Sequence, residues 1–261
     1  MDAIQDIDWA EHWRTLAAGR RNAEPEADPW ASRAGRFARS IRHQADYFLP
    51  FLEPWLKPSK TLLDVGAGVG RHAVPLASRL DWVTAVEPSE AMRALMPGAD
   101  NLTVIGSDWL DAEPTPADLV ICVHVLQSVP DAAPFLEKLT ASARERVFIV
   151  LRDAPFGHPA KRMPGAERAR EPWLRDCLLL LRQLGVAPDL TMFRYPVSFH
   201  YASVEEALRD CGQEDPESPR AAGVRSWLEA RLRPGPEGDL VFDGGETVSG
   251  ALHWAPAAAT P

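Results

Sequence analysis

The chain has 261 residues, 46% of them hydrophobic, which is enough for one large α/β domain with a substantial core. Its net charge of −9 argues against a broad basic surface for nucleic acid, and no apolar run approaches the about 20 residues that a membrane-spanning helix needs. The three cysteines, Cys122, Cys177 and Cys211, are too widely spaced for a zinc site or a disulfide framework. We therefore expect a cytoplasmic protein that uses no metal. From the charge and the lack of a long apolar run, we expect contact with neither nucleic acid nor membrane.

The first 57 residues contain helical patterns and loops but no regular strand. Apolar residues recur on one helical face over residues 9–16. A second apolar pattern over residues 37–52 predicts a helix that breaks near Pro50 or Pro54.

Strands and helices then alternate along the chain. Strands are predicted over residues 61–65, 82–86, 102–105, 119–123 and 147–151, and helices over 71–80, 89–95 and 132–142. This alternation favours a parallel sheet that is covered by helices on both faces.

The pattern loosens after residue 151. Residues 153–172 are rich in proline and basic side chains and are interpreted as a lid loop over the site. Further helices are expected over 174–184, 203–211 and 224–232, with a strand over 191–200. Two segments around Gly244 and Gly245, 239–242 and 246–254, are predicted to form a hairpin, and residues 255–261 a disordered tail.

A glycine-rich turn is predicted where the first strand ends. Asp64 closes the apolar run, and Gly66, Gly68 and Gly70 follow at alternate positions. Glycine permits left-handed backbone angles and a close approach of the main chain to a ligand. The helix that follows would direct free N–H groups into the same space.

Acidic side chains also end the next two strands. Glu87 follows the second strand and Asp108 the third. Because the carboxyl ends of neighbouring parallel strands meet at one crevice, we expect Asp64, Glu87 and Asp108 to surround a nucleoside. Each of them alone would be an ordinary loop residue or helix cap.

These features together resemble the class I S-adenosylmethionine-dependent methyltransferases. The resemblance rests on the runs LLDVGAGVGRHAVPLASRL, VTAVEPSEAM, IGSDWL and ADLVICVHVLQSVPD, which cover about residues 61–151. It implies a Rossmann-like, seven-stranded, mostly parallel sheet with helices on both faces and an antiparallel last strand. It also implies an N-terminal helical cap over residues 1–57 and a methyltransferase domain over 58–254.

The resemblance assigns roles at the donor site by position. Gly66, Ala67 and Gly68 would hold the methionine part of S-adenosylmethionine, and Asp64 would organise their turn. Glu87, followed by Pro88, would bind the ribose hydroxyls. The remaining members of the implied site lie around the adenine and the methyl group: Asp108, Trp109, Met92, Cys122 and Val123. Trp109 and Met92 could equally well pack in the core instead of contacting the ligand. Cys122 is better interpreted as a small buried apolar residue than as a nucleophile.

The segment after the fourth strand resembles the branch that acts on small molecules, since it reads Cys-Val-His-Val-Leu rather than Asn/Asp-Pro-Pro-aromatic. We therefore expect in-line methyl transfer to a small-molecule acceptor. His124 is the best-placed candidate for a general base, if the acceptor carries a proton that must leave. The competing interpretation is a histidine that orders the turn.

Other side chains are candidates for the acceptor side. They are aromatic, imidazole or basic groups of the N-terminal segment and of the expected lid: Trp30, Arg36, His43, His158 and Arg162. The basic clusters that contain Arg36 and Arg162 raise the hypothesis of an anionic acceptor, although a solvated helix is the favoured account of the cluster around Arg36.

Three rival functions remain open from the sequence, one of which, a protein or RNA methyltransferase, is disfavoured by the net charge and by the turn after the fourth strand. A nicotinamide-dependent oxidoreductase uses a related sheet, but its turn favours GxGxxG, whereas the third glycine here comes one position early. A non-catalytic nucleoside-binding protein on the same fold is the second alternative. The sequence names neither the acceptor, nor the methylated atom, nor the oligomeric state.

Overall fold

The computed structural model describes residues 7–18, 28–153, 157–166, 171–213, 215 and 218–257. Within them the strands are β1 (Thr61–Val65), β2 (Trp82–Val86), β3 (Leu102–Ile105), β4 (Ala117–Val123), β5 (Ala143–Arg152), β6 (Asp189–Tyr201), β7 (Leu232–Pro234) and β8 (Leu240–Trp254). The α-helices are α1 (Trp9–Ala18), α2 (Ala34–Arg42), α3 (Phe48–Leu52), α4 (Ala73–Ala77), α5 (Glu90–Arg93), α6 (Ala132–Ala141), α7 (Pro159–Arg162), α8 (Leu174–Gln183), α9 (Val204–Asp210) and α10 (Pro219–Glu229).

The strands form one sheet in the order β3-β2-β1-β4-β5-β8-β6, and the short β7 pairs with β8. β1 to β5 pair in parallel, and β8 runs antiparallel to both β5 and β6. The expected seven-stranded path with an antiparallel last strand is confirmed, with β7 as an addition. The strand order reverses beside β1, so the turns after β1 and β4 open onto one crevice.

Side chains alternate between two cores across the sheet, as the two-residue period of a strand requires. In β1, Leu63 and Val65 face the core formed with α1, α6 and α8, whereas Leu62 faces the core formed with α3 and α4. Because both faces of β1 and β4 are buried, these strands read as continuous apolar runs.

The helix predicted over residues 37–52 breaks earlier than expected, between Arg42 and Phe48 and not near Pro50 or Pro54. The chain leaves α2 after Arg42 and begins α3 at Phe48, so Pro50 falls in the first turn of a helix. The cause is Asp46, whose Oδ1 accepts the backbone N–H groups of Phe48 and Leu49 at 2.9 Å. Proline in a first turn costs no intrahelical hydrogen bond.

The predicted hairpin around Gly244 and Gly245 is wrong. Both glycines lie inside the continuous strand β8, at a bulge where the register against β6 shifts between Val197 and Ser198. Gly245 has φ +72°, which the bulge requires, and a Cβ on Gly157 would lie 1.9 Å from the Gly244 carbonyl oxygen. The glycines therefore permit a bulge and a close backbone contact, not a chain reversal.

The N-terminal segment is divided between several parts of the sheet. Trp13 of α1 is fully buried and donates its indole N–H to the Val129 carbonyl at 2.9 Å, while Phe48 of α3 lies in the opposite core. α2 packs against β6. The described helices of residues 1–57 therefore do not form a separate unit, and their role as a cap stays a prediction.

The two remaining regional predictions fall only partly within the described residues. In the expected lid, the described part includes α7, and Ala160 and Met163 pack against the cluster formed by the end of β6, α9 and α10. Of the expected tail, residues 258–261 lie outside the described residues. Among the described helices, none has the length and apolar character required to cross a bilayer.

Candidate active site

The turn after β1 has the backbone that its glycines predict. Gly66, Gly68 and Gly70 have φ values of +74°, +58° and +80°. A Cβ on Gly66 would lie 2.3 Å from Val125 Cγ2, so this position tolerates no side chain. Among the described residues, a Cβ on Gly68 would meet the Phe37 ring at 3.9 Å, an ordinary van der Waals contact. The turn thus leaves its main chain uncovered by side chains of its own glycines.

Glu87 is tied to this turn by direct hydrogen bonds. Its Oε2 accepts the backbone N–H of Gly68 at 2.8 Å, and its Oε1 accepts that of Ser89 at 2.9 Å. The side chain is buried, and burial raises the pKa of the carboxyl group against the opposing effect of these two amides. The carboxylate at the end of β2 therefore lies against the glycine turn, where the sequence placed it.

Asp64 lies beneath the same turn and is buried. Its Oδ2 has no hydrogen-bond partner among the described residues. Burial raises the pKa of the carboxyl group to about 6, although the nearby His72 acts in the opposite direction. A buried acceptor without a partner is costly, and a cationic ligand group would satisfy it.

The structure separates the other predicted donor-site residues into two groups. Met92 is buried in a small cluster with Ala34 and Val69, beside the glycine turn, whereas Pro88 and Asp108 are exposed. Trp109 is buried in the main core, and its indole N–H donates to the Phe135 carbonyl at 3.2 Å. Its contacts are therefore those of core packing, the alternative that the sequence had left open.

Asp28 is a further residue of this region that sequence reasoning missed. Its Oδ2 accepts the Ser89 hydroxyl at 2.9 Å, and its Oδ1 accepts the backbone N–H of Trp30. Trp30 is 37% exposed and its ring meets that of Phe37 edge-on, with centroids 5.4 Å apart. The N-terminal segment therefore reaches the donor crevice through Asp28, Trp30 and Phe37. No local sequence motif predicts such a contact.

His124 has an unusual backbone conformation at the end of β4. Its φ is +59°, and no other non-glycine residue in the described part of the chain has a positive φ. Its backbone N–H donates to the Val150 carbonyl at 2.9 Å, which extends the ladder between β4 and β5 by one residue. Strained backbone of this kind concentrates at functional sites because the surrounding structure must hold it.

The His124 ring is bound to a chain of hydroxyl groups. The Tyr47 hydroxyl lies 2.6 Å from Nε2, and the Tyr195 hydroxyl lies 3.2 Å from that of Tyr47 and 2.8 Å from the Ser249 hydroxyl. His124 Nδ1 is buried and has no partner among the described residues. None of Tyr47, Tyr195 and Ser249 was a predicted site residue, because they come from α3's N-terminal flank, β6 and β8 and meet only in the fold.

Burial lowers the pKa of His124 well below its ordinary value, and the positive charges of Arg152, His72 and Arg71 act in the same direction. Burial likewise raises the pKa of the Tyr47 hydroxyl. His124 is therefore neutral and Tyr47 is protonated at neutral pH, so the hydrogen bond between them joins two uncharged groups.

Cys122 and Val123 lie just before His124. Cys122 is completely buried in the core, and burial raises the pKa of its thiol, so it is an inert apolar side chain. Val123 is half-buried and packs against the opposite core. Cys177 and Cys211 are also buried, and all three cysteines are free thiols.

Two of the predicted acceptor-side residues belong to a buried charge cluster. The Arg36 guanidinium lies 2.9 Å from Asp210, and the same carboxylate contacts His158 Nε2 and the Tyr201 hydroxyl, each at 2.8 Å. Arg36 and His158 are thus brought together, and their contacts here are with protein groups.

The remaining acceptor-side candidates lie elsewhere. Arg162 is exposed, donates to the Asp243 carbonyl at 3.1 Å and lies over the Phe242 ring. His43 stacks on His200 with ring centroids 4.2 Å apart. These contacts do not include His124, so the roles of both residues remain predictions.

A cavity of about 400 Å³ lies outside this crevice. It is lined by the first residues of three strands, Thr61, Trp82 and Ala117, together with residues 113–116. Since the glycine turn follows the other end of β1, this cavity is separate from the candidate active site.

Comparisons with known proteins agree with this geometry. A family profile described as "Methyltransferase domain" matches residues 37–181, more than half of the chain. An uncharacterized protein of Haemophilus influenzae is 28% identical over 157 residues, which are 56% of this chain and 58% of that protein. The match thus spans less than two thirds of the relative's length.

Solved structures show the same fold at low sequence identity. A proposed methyltransferase of an antibiotic biosynthesis pathway from Anabaena variabilis has a TM-score of 0.56 and 16% identity, covering 82% of this chain and 97% of its own. A proposed methyltransferase from Bacillus halodurans has a TM-score of 0.54 and 16% identity, covering 80% and 98%.

Proposed function

Since the chain belongs to the methyltransferase domain family, we propose that it transfers the methyl group of S-adenosylmethionine to a small-molecule acceptor. The observation that carries this proposal is the hydrogen bond from Gly68 to Glu87, which fixes a carboxylate beside a bare glycine turn. A carboxylate at the end of β2 is well suited to accept the two hydroxyls of a ribose.

The residues at the crevice fit an adenosyl cofactor. Among the described residues, a Cβ built on Gly68 would meet the Phe37 ring at 3.9 Å, and the Glu87 carboxylate accepts the Gly68 N–H. The unpartnered Oδ2 of Asp64 would be satisfied by the cofactor's amino group, directly or through water. Met92 lies beside the turn and would contact the adenine, while Asp108 would accept its amino proton from the exposed side.

When bound, S-adenosylmethionine supplies a methyl group that its sulfonium has already activated for displacement. The protein therefore has to align donor and acceptor and to exclude water. Trp30 and Phe37 cover the donor turn from the N-terminal segment, and Tyr47 of the same segment reaches the end of β4. One stretch of chain thus contacts both halves of the crevice.

The acceptor half is proposed to surround His124. Its Nδ1 is a buried polar atom that a bound acceptor would satisfy, and Tyr47 fixes the ring through Nε2. If Nε2 carries the proton and donates it to Tyr47, Nδ1 is a free acceptor that can take a proton from an acceptor hydroxyl or amine. The depressed pKa keeps the ring in its neutral form, which such a base requires.

The small-molecule acceptor is supported by the net charge of −9 and by the aromatic surroundings of His124. Arg152, at the end of β5, contributes positive charge near His124 and Tyr47. This positive charge would attract an anionic acceptor to this part of the crevice.

Calorimetry with S-adenosylhomocysteine and, separately, with NAD tests the donor site. We expect one binding site for S-adenosylhomocysteine and none for NAD. The reverse result would favour the oxidoreductase alternative. Transfer of a labelled methyl group is then measured with a panel of carboxylate, phosphate, phenol and amine acceptors. Donor binding without transfer to any class would favour the non-catalytic alternative.

A further inference from the structure

A cluster of potential metal ligands lies outside the candidate active site. It comprises His43 at the end of α2, His200 in β6 and Asp239 just before β8. One ligand atom from each of the three residues lies within 4.8 Å of the others. The two imidazole rings are nearly parallel, at 13°, with centroids 4.2 Å apart. Elements that are far apart in sequence therefore bring three donor groups into one small region, where the stacked rings would have to turn for both to reach one ion.

The polar atoms of this cluster are incompletely satisfied. Asp239 is 6% exposed, and its Oδ1 has no hydrogen-bond partner among the described residues. The same holds for His43 Nε2, which is buried and lies 3.7 Å from the Glu237 carboxylate, beyond hydrogen-bonding distance. Buried polar atoms without partners destabilise a fold, so each such group calls for an explanation such as an ion that is not shown.

Both ring nitrogens of His200 and one oxygen of Asp239 have protein partners, which leaves His43 Nε2 and Asp239 Oδ1 as the atoms without one among the described residues. His200 Nδ1 lies 2.6 Å from Asp239 Oδ2, and His200 Nε2 lies 3.1 Å from the Ser198 hydroxyl. A hydrogen bond with the His200 ring favours the ionised form of the Asp239 carboxyl group, which is the form that binds a metal ion.

We propose that His43, His200 and Asp239 bind one divalent transition-metal ion of the Zn²⁺ class, with Glu237 as a fourth ligand. Two imidazoles and one or two carboxylates are donors that Zn²⁺ and its neighbours prefer, whereas Mg²⁺ and Ca²⁺ favour oxygen alone. The two carboxylates would balance the charge of the ion. Binding needs the His200–Asp239 hydrogen bond to open and the stacked rings to turn toward the ion, and Glu237, whose side chain is 55% exposed, has room to approach.

The ion would connect three parts of the fold. It would join the end of α2 to β6 and to the turn between β7 and β8. α2 carries Phe37, the side chain that lies over Gly68, so the metal would hold the wall of the donor crevice in place. This differs from the prediction from sequence that the protein uses no metal, because that prediction considered cysteine spacing and not histidines brought together by folding.

The test uses the full chain with any affinity tag removed, after dialysis against a chelator. Co²⁺ is added as a spectroscopic probe, and Zn²⁺ is then titrated by calorimetry and thermal denaturation. We expect visible Co²⁺ absorption that saturates at one equivalent and disappears on addition of Zn²⁺. We also expect Zn²⁺ to raise Tm by about 5–10 °C when its concentration is about 100 times its Kd.

Variants locate the site. His43→Ala should abolish the Co²⁺ spectrum and the Tm shift, and Glu237→Gln should weaken binding by about 10-fold. His43 is partly exposed, so the metal-free variant should fold, and its circular dichroism checks this. His12→Ala is the matched control, since His12 also lies 3.7 Å from a carboxylate, that of Asp176, but on α1.

Three results would overturn the proposal: no Co²⁺ absorption, no Tm shift with Zn²⁺, or binding that is unchanged in His43→Ala. Failure of the proposed methyl transfer is a separate outcome, because none of these measurements uses the donor or an acceptor.

Discussion

The hydroxyl oxygen of Tyr47 lies 2.6 Å from Nε2 of His124, although 77 positions separate the two residues in the chain. This contact joins the N-terminal segment to the end of β4. It supports a strained backbone at His124, where φ is +59°, by fixing the ring on one side. It also leaves Nδ1 as the ring atom available to a bound molecule.

Tyr47→Phe removes the hydroxyl and keeps the aromatic packing against Phe193 and Tyr195. We expect kcat/KM for methyl transfer to fall by about 10-fold, because the His124 ring loses the hydrogen bond that orients it. The affinity for S-adenosylhomocysteine should stay unchanged. Tyr195→Phe should have a smaller effect, because the Tyr195 hydroxyl lies farther from His124 Nε2, at 3.4 Å. Equal activity of Tyr47→Phe and the parent would contradict the proposed role.

Glu87→Gln keeps the shape of the side chain and removes its charge. We expect the affinity for S-adenosylhomocysteine to fall by about 10- to 100-fold, since hydrogen bonds to a charged acceptor contribute about 1.5–3 kcal/mol. The measurement is calorimetric titration. Glu90→Gln is the control, because Glu90 is an exposed glutamate only three residues away. A similar loss of S-adenosylhomocysteine affinity in both variants would show that the total negative charge, and not a carboxylate at the end of β2, determines this affinity.

Gly68→Ala and Gly66→Ala separate backbone strain from the loss of ligand space. Both place alanine at positive φ, which costs about 1–2 kcal/mol, but only at Gly66 does the new Cβ collide with Val125. Gly68→Ala should therefore fold, with a small loss in the free energy of unfolding, and lose donor affinity. Gly66→Ala should lose considerably more stability. Chemical denaturation combined with calorimetry distinguishes the two, and unaltered donor affinity in Gly68→Ala would argue against a ligand above that peptide.

Asp64 predicts a pH dependence of stability. Burial raises its pKa to about 6 in the folded protein, from 3.8 in an unfolded chain. Between about pH 4 and pH 6 the folded state binds more protons at this group, so ionisation of Asp64 lowers the free energy of unfolding as the pH rises. The shift of about two units corresponds to about 3 kcal/mol.

Asp64→Asn tests this dependence, because asparagine has no carboxyl group to ionise. Urea denaturation of the donor-free protein at a series of pH values should show that the difference in stability between variant and parent grows in favour of the variant from pH 4 to pH 6. It should be constant above about pH 7. A difference that does not change with pH would mean that Asp64 keeps an ordinary pKa.

Arg36→Ala tests whether this residue supports the fold or binds an acceptor. Its guanidinium and Asp210 are 11% and 7% exposed, so removing it leaves a buried carboxylate with only His158 and Tyr201. We expect the free energy of unfolding to fall by about 3 kcal/mol and KM to stay within twofold.

The control for Arg36 is Arg39→Ala, which breaks a more exposed pair with Glu206 and should cost about 1 kcal/mol. A raised KM at unchanged stability in Arg36→Ala would instead restore the anion-binding role that the sequence suggested.

The sequence is informative wherever function depends on neighbouring residues. The positions of Gly66, Gly68 and Glu87 follow from one strand–turn–helix unit and the strand beside it, so their proximity could be predicted. β1 and β4 are buried on both faces and could be recognised as apolar runs. Periodicity is lost where glycine forms a bulge, and the interior of β8 was mistaken for a turn at Gly244 and Gly245 for this reason.

The remaining contacts depend on packing between distant segments. Asp28 reaches Ser89, Tyr47 reaches His124, and His43 reaches His200, each across more than 60 positions. Each pair consists of common polar residues without a characteristic spacing. Trp109 illustrates the opposite case, since its position beside Asp108 suggested a ligand contact while its indole N–H is satisfied by the Phe135 carbonyl in the core.

The position of Tyr47 indicates which residues of the crevice can be substituted without affecting the donor side. The part of the crevice proposed for the donor is built largely from β1, β2 and their turns, whereas the phenol next to His124 is supplied by a stretch that precedes the first strand. Substitutions around Tyr47 would therefore act on the proposed acceptor side, whereas substitutions around Asp28 and Phe37, earlier in the same stretch, would also reach the donor turn. If two such proteins exchanged only the residues around Tyr47, we expect the choice of acceptor to change while the donor turn stays intact.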